Sequence, residues 1–169
     1  MGGSSSPCAS TFASTSPLDQ VETATWDAWI KEVKQRGNLA AQISVHSYSQ
    51  LLMPPWATGR SKRPNERPNE PPTIDYLMEV TERMGEAISN THGVVYKVGQ
   101  SRDVVGYAAG GTSEDYAYDP DEGLNIPLAW VYELRDKGRY GFLLPPEQIE
   151  PNAEEVINSF IEMAKELRK

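Results

Sequence analysis

A single cysteine, Cys8, stands among 169 residues, so no internal disulfide can form and the paired cysteines typical of an oxidising compartment are missing. No stretch approaches the roughly 18 to 20 consecutive apolar residues that a membrane span needs, which excludes a bilayer-spanning helix. Positive charge is scarce: 16 Lys and Arg face 24 Asp and Glu, a formal charge of −8. That balance disfavours nucleic acid and anionic membranes as partners, because both are bound through clustered Lys and Arg. The one basic cluster, Arg60 to Arg67, is short and broken by Pro and Glu. The N-terminus has no basic stretch followed by an apolar one, so no secretory signal is expected in the chain as written. The length suits one domain or a piece of a larger one.

Residues 1–15, rich in Ser, Gly, Ala and Thr, read as loop. Ser16-Pro17-Leu18-Asp19 reads as a helix start, with Ser at the cap and Pro at the first helical position. Trp26, Trp29, Ile30 and Val33 then form an apolar stripe that Gly37 closes. Alternation over Ala41-Gln42-Ile43-Ser44-Val45-His46 predicts a strand with His46 at its C-terminal end. Residues 54–72 collect helix breakers and repeat Arg-Pro-Asn-Glu twice, which predicts a surface loop. Thr73 is placed to cap a second helix carrying Leu77, Val80, Met84, Ala87 and Ile88, ended by Asn90 and Gly93.

Tyr96 to Val98 suits a short strand, and three glycines within residues 106–112 demand a loop. Leu128 to Leu134 is aromatic and β-branched enough to be a buried strand, delivering Glu133 near its C-terminal end. A last helix is expected from about Pro151, with Val156, Ile157, Phe160, Ile161, Ala164 and Leu167 on its buried face. Helix, strand, helix, strand, helix predicts an α/β fold: a mixed, largely parallel sheet flanked by helices.

In open α/β sheets ligands bind beyond the carboxyl ends of the strands, which is where His46 and Glu133 fall. That pair suits a metal ligand and a general base. On the residues alone a hydrogen-bonded structural role stays open for both. His92, beside the helix-ending Gly93, suits a C-terminal cap that meets the helix dipole.

Longer stretches carry more information. Ile43-Ser44-Val45-His46-Ser47-Tyr48-Ser49-Gln50-Leu51-Leu52-Met53 and Tyr132-Glu133-Leu134-Arg135-Asp136-Lys137-Gly138-Arg139-Tyr140-Gly141-Phe142-Leu143-Leu144-Pro145 resemble two signature blocks of zinc metallocarboxypeptidases of the A/B type. Between them Gly106-Tyr107-Ala108-Ala109-Gly110-Gly111-Thr112-Ser113-Glu114-Asp115-Tyr116 is similar to that family's mobile-tyrosine loop. The resemblance covers essentially all of residues 1–169 and matches the C-terminal half of the family's catalytic domain.

It implies His46 as the third zinc ligand and Glu133 as the base that deprotonates the attacking water and then protonates the leaving amine. Tyr107 would swing over the substrate near its C-terminus. Ser47, Tyr48 and Phe142 would contact the substrate, Tyr48 and Phe142 on the side upstream of the scissile bond. The resemblance also implies cis peptide bonds at Ser47-Tyr48, Pro55-Trp56 and Arg135-Asp136.

Glu114 falls where the family places the base of the pocket for the substrate's last side chain, so an acid there implies peptides ending in Lys or Arg. Arg102 falls at another pocket-lining position, a departure from the family's pattern that puts a guanidinium within sequence reach of Glu114. The family's His-x-x-Glu zinc motif has no counterpart: Ser47-Tyr48-Ser49 follow His46, and Gly93-Val94-Val95 follow His92. The family's carboxylate-gripping Asn-Arg pair and oxyanion arginine are missing too, and Cys8 matches one half of a family disulfide. Three expectations follow. The chain is a fragment of a secreted zinc carboxypeptidase, inactive alone and partnered by a missing N-terminal half; or a non-catalytic binder of peptide C-termini; or an interaction module with an open sheet edge.

Overall fold

The computed structural model describes residues 3–37, 39–58 and 74–168. Five α-helices and four strands are placed in it: α1 (Val21–Arg36), β1 (Ala41–Ser47), β2 (Leu51–Met53), α2 (Ile74–His92), β3 (Lys97–Val98), α3 (Ser101–Val105), α4 (Ser113–Tyr118), β4 (Leu128–Leu134) and α5 (Ile149–Ala164). The strands form one sheet in the order β1-β4-β2-β3. β1 runs parallel to β4, β2 parallel to β3, and β2 antiparallel to β4. This is the expected α/β arrangement. β1 and β4 have the predicted positions, whereas β2 carries no alternation long enough to have been predicted.

The alternation of β4 sorts its neighbours. Trp130 and Tyr132 point to one face, where the Trp130 indole N–H donates to Thr81 Oγ1 of α2 at 2.8 Å and the Tyr132 hydroxyl meets Ser159 Oγ of α5 at 2.7 Å. Ala129, Val131 and Glu133 point to the other face. α2 presents Leu77, Val80, Thr81, Met84 and Ile88 inward. Their 3.6-residue spacing explains the helix, and Gly93 ends it in the left-handed region at φ 73°. Thr73, the expected cap, lies outside the described residues. His92, the last residue of α2, spans to α5 instead of only capping: its Nε2 lies 2.5 Å from Glu154 Oε2.

Three expectations are corrected. α1 begins at Val21, because Asp19 gathers Thr15 N at 3.1 Å and Ser16 N at 3.2 Å and so holds the Ser16-Pro17 segment as a turn. Its buried face is Asp27 and Ile30, while Trp29 is 55% exposed. Asp27 turns inward because its carboxylate takes the Tyr116 hydroxyl of α4 and, at 2.8 Å, the Lys31 ammonium.

α5 likewise buries Glu155, Ser159 and Met163, leaving Ile157 and Ile161 more than half exposed. Glu155 is fully buried against the Arg135 guanidinium, with Nε to Oε2 at 2.9 Å and Nη2 to Oε1 closing a bidentate pair. Polar partners from β4 and the segment after it thus decide which side of α5 faces inward. Finally, residues 54–58 are not a surface loop: Pro54, Pro55 and Ala57 are buried. Pro54 O accepts from Ser101 N at 3.1 Å and Ala57 O from Ala109 N at 3.0 Å. The rest of the expected loop lies outside the described residues up to Thr73. Residues 3–15 form turns and one isolated bridge, Ser4 to Phe12, in keeping with a loop.

Candidate active site

His46 and Glu133 are register partners at the C-terminal ends of the parallel strands β1 and β4. Directly paired residues of adjacent strands share a face of the sheet, so the fold delivers an imidazole and a carboxylate side by side, with Leu51 of β2 opposite Glu133 on its other flank. His46 is exposed, at the end of an edge strand. Its Nε2 lies 2.8 Å from Ser44 Oγ, two residues back on the same face.

Glu133 Oε2 is buried with no hydrogen-bond partner among the described residues. Burial raises the Glu133 pKa, and the nearby His46 opposes the rise in part. A buried carboxylate oxygen without a partner is costly. It is also what a proton acceptor needs, since a raised pKa brings the group towards the operating pH.

The chain leaves β1 through Ser47 and Tyr48, and the Ser47-Tyr48 bond is cis, as are Pro55-Trp56 and Arg135-Asp136. Ser47 is exposed at the strand end. The Tyr48 ring meets Phe142 edge to face at 5.0 Å between centroids. Phe142 comes from the turn after β4, where Asp136 accepts from the backbone N–H groups of Gly138, Tyr140 and Gly141 at 2.9, 2.8 and 3.0 Å. Those three bonds hold the Asp136 pKa below its ordinary value against desolvation. Gly141 sits at φ 59°, and a Cβ there would lie 3.2 Å from Tyr48 Cε1. The turn therefore presents Phe142, 78% exposed, next to Tyr48.

Tyr107 follows Gly106, which ends α3 in the left-handed region at φ 85°. The Tyr107 ring is 64% exposed. Glu114 opens α4 and is only 3% exposed. Its Oε1 accepts from Ser101 Oγ at 3.1 Å. Burial pushes its pKa up to about 7, and the adjacent Asp115 adds to the rise. Arg102 does not occupy Glu114: its guanidinium turns to Gln100 Oε1 at 3.2 Å and Asp103 Oδ1 at 3.4 Å.

Asp115 accepts from the Ala57 and Thr58 backbone N–H groups at 2.8 and 3.0 Å and pins the segment after β2. Burial nonetheless leaves its pKa raised. Ser44, Ser101 and Asp115 were not singled out in the sequence. Ser44 was within reach of the period-two pattern, but nothing in the sequence places Ser101 or Asp115 against their partners.

The model of the family described as zinc carboxypeptidase matches residues 1–159. Carboxypeptidase A2 of Mus musculus is 40% identical over 154 residues, covering 91% of this chain and 33% of that protein. A zinc carboxypeptidase of Simulium vittatum is 34% identical over 169 residues, covering 99% of this chain and 51% of its own length. Among solved structures, bovine thrombin-activatable fibrinolysis inhibitor in complex with a tick carboxypeptidase inhibitor superposes with a TM-score of 0.83 at 31% identity, over 98% of this chain and 51% of that one. The chain thus spans about a third to a half of the length of these relatives.

A catalytic zinc takes about three protein ligands plus water. His46 fits one such position, with Nε2 engaged by Ser44 and a carboxylate alongside. Among the described residues no group of three His, Cys, Asp or Glu is placed to hold a metal ion.

Proposed function

The chain belongs to the zinc carboxypeptidase family, and on that premise we propose that it forms the C-terminal half of a catalytic domain that removes the last residue of peptides, favouring Lys or Arg. The observation that carries this proposal is the pairing of His46 with Glu133 at the ends of adjacent parallel strands, with Glu133 Oε2 buried and without a hydrogen-bond partner among the described residues. Zinc, when bound, supplies the Lewis acidity that polarises a carbonyl and lowers the pKa of water. His46 provides one of its ligands, and the others come from outside the described residues, so this chain alone is inactive.

Glu133 takes the proton of the attacking water and returns it to the departing amine; its raised pKa suits both steps. Tyr107, exposed on a glycine-bounded loop, moves over the substrate near its terminal carboxylate. Tyr48 and Phe142, packed edge to face, form a wall for residues upstream of the scissile bond, with Ser47 beside them. Glu114 receives the basic side chain of the last residue. A buried acid with no cation against it among the described residues supports that assignment, because a Lys or Arg supplies the charge that these surroundings lack. Peptide and protein C-termini are therefore the partners. Extracellular location is part of the same proposal. Among the described residues no helix is long and apolar enough to cross a membrane.

The test is zinc stoichiometry on the purified chain, with release of Lys or Arg from a short peptide, before and after addition of a polypeptide carrying the N-terminal half of a relative's catalytic domain. Zinc binding and peptide release that appear only in the mixture, and fall about 10²- to 10⁴-fold in Glu133→Gln, are the expected result. Zinc near one per chain with full release from the chain alone overturns the proposed incomplete site. Release in the mixture that Glu133→Gln leaves unchanged overturns the role of Glu133.

A further inference from the structure

The even-numbered residues of β1 make a polar row on one face, Gln42, Ser44 and His46, while Ala41, Ile43 and Val45 share the other. β1 pairs with β4 along its whole length, from Ala41 to Ser47, so the backbone positions of residues 44 and 46 are fixed relative to each other. Ser44 Oγ lies 2.8 Å from His46 Nε2. His46 is exposed, and among the described residues the Ser44 hydroxyl is the hydrogen-bond partner of its ring.

A hydroxyl and an imidazole nitrogen can share a hydrogen in two directions. If Ser44 donates, Nε2 is the acceptor and the proton of the neutral ring sits on Nδ1. If the ring donates, Nε2 carries the proton and Nδ1 keeps its lone pair. Only the second direction leaves a ring nitrogen free, since Nε2 is engaged in both.

We infer that Ser44 is a positioning residue for His46, accepting the Nε2–H and holding the ring with the Nδ1 lone pair turned away from the strand. The hydrogen bond selects the tautomer and the ring angle together. Ser44 thereby decides which nitrogen is offered to a cation, the task that partners of metal-ligating histidines commonly perform. This inference rests on the proposed role of His46 as a ligand. It concerns the ring before any metal arrives, so it is tested without one.

The experiment is long-range ¹H–¹⁵N correlation of the imidazoles in the ¹⁵N-labelled chain, without added metal or substrate, at a pH above the ordinary imidazole range. The sequence holds two histidines, so His92, far along the chain and paired with Glu154, is an internal control for folding. The wild-type His46 is expected to show a protonated Nε2 and an unprotonated Nδ1. Ser44→Ala should lower the ratio of that tautomer to the other by roughly two- to tenfold, as fits the loss of one hydrogen bond, with the His92 signals unmoved. Ser44→Thr keeps a hydroxyl and should restore the wild-type ratio.

A wild-type His46 protonated on Nδ1 overturns the inference, whatever the variants do. So does an unchanged ratio in Ser44→Ala. If Ser44→Ala disturbs His92 and has therefore not folded, the wild-type and Ser44→Thr spectra still decide. Failure of the zinc and peptide-release experiment leaves this measurement intact, so the two ideas fail separately.

Discussion

Replacing Glu114 with Gln is expected to stabilise the fold at pH 8 and to do so much less at pH 5. Glu114 is 3% exposed, and burial displaces its pKa from an ordinary 4.5 to about 7. The folded value lies above the unfolded one, so the group's contribution is fully present below about pH 4.5. It is lost as pH rises to about 7, and is constant beyond. The displacement is about 2.5 pH units at about 1.4 kcal/mol each, so the ionised carboxylate costs the fold about 3 kcal/mol. Part of that cost is already present at pH 5. The gap in stability between Glu114→Gln and wild type should therefore widen by about 2.5 kcal/mol from pH 5 to pH 8. Urea unfolding of both proteins across this range measures it. Because the comparison is a difference between two proteins at each pH, the titration of all other groups cancels. A gap that stays constant, or narrows with rising pH, would refute the claim that burial holds the Glu114 pKa near 7.

Under the proposed function the same displacement has a second consequence: in the mixture with an N-terminal half, KM for peptides ending in Lys or Arg falls as pH rises through about 7, by up to tenfold per unit below it. Peptides ending in Gln should show no such slope. Glu155→Gln leaves the Arg135 guanidinium without its buried carboxylate, and denaturant unfolding should register a loss of about 3 to 5 kcal/mol. Thr81→Val strands the Trp130 indole N–H in the core, at an expected cost of about 1 to 3 kcal/mol. Gly141→Ala places a side chain at φ 59° and 3.2 Å from the Tyr48 ring. It should cost about 1 to 2 kcal/mol in unfolding experiments and raise KM for longer peptides more than for dipeptides.

The strands that matter most were legible because their information is local. β1 and β4 announce themselves by alternation and by β-branched and aromatic content, and both active-site candidates sit at predicted strand ends. α2 was legible for the same reason: its apolar stripe coincides with the face it buries. In α1 and α5 the expected stripe holds only in part: Ile30 is buried and Trp26 and Phe160 pack against the core, whereas Trp29, Ile157 and Ile161 face outward. Asp27, Glu155 and Ser159 turn inward towards partners 20 to 89 residues away in sequence, and hydrophobic periodicity scores such residues as outward-facing. β2, α3 and α4 span 3, 5 and 6 residues, too short for a periodic signal.

The residues of the candidate site were named from local wording, but their geometry was not. Glu114 reads equally as a solvated acid at a helix start or as a buried one. Only the packing of α4 against β4 and β1, with Ser101 brought over from α3, makes it the latter. Arg102 shows the converse, a nearby charge that a hydrogen bond to Gln100 and an ion pair with Asp103 turn away.

The sequence by itself determined the chemistry available: an imidazole and a carboxylate at strand ends, a tyrosine between glycines, and an acid before Asp115. Tertiary structure decided which of these groups meet. The parallel register of β1 and β4 sets His46 beside Glu133, packing leaves Glu133 Oε2 without a hydrogen-bond partner among the described residues, and burial raises the Glu114 pKa to about 7. Residue types fix what a side chain can donate, accept or ligate, whereas its partners and its dielectric surroundings are set by segments distant in the chain, which no local pattern encodes.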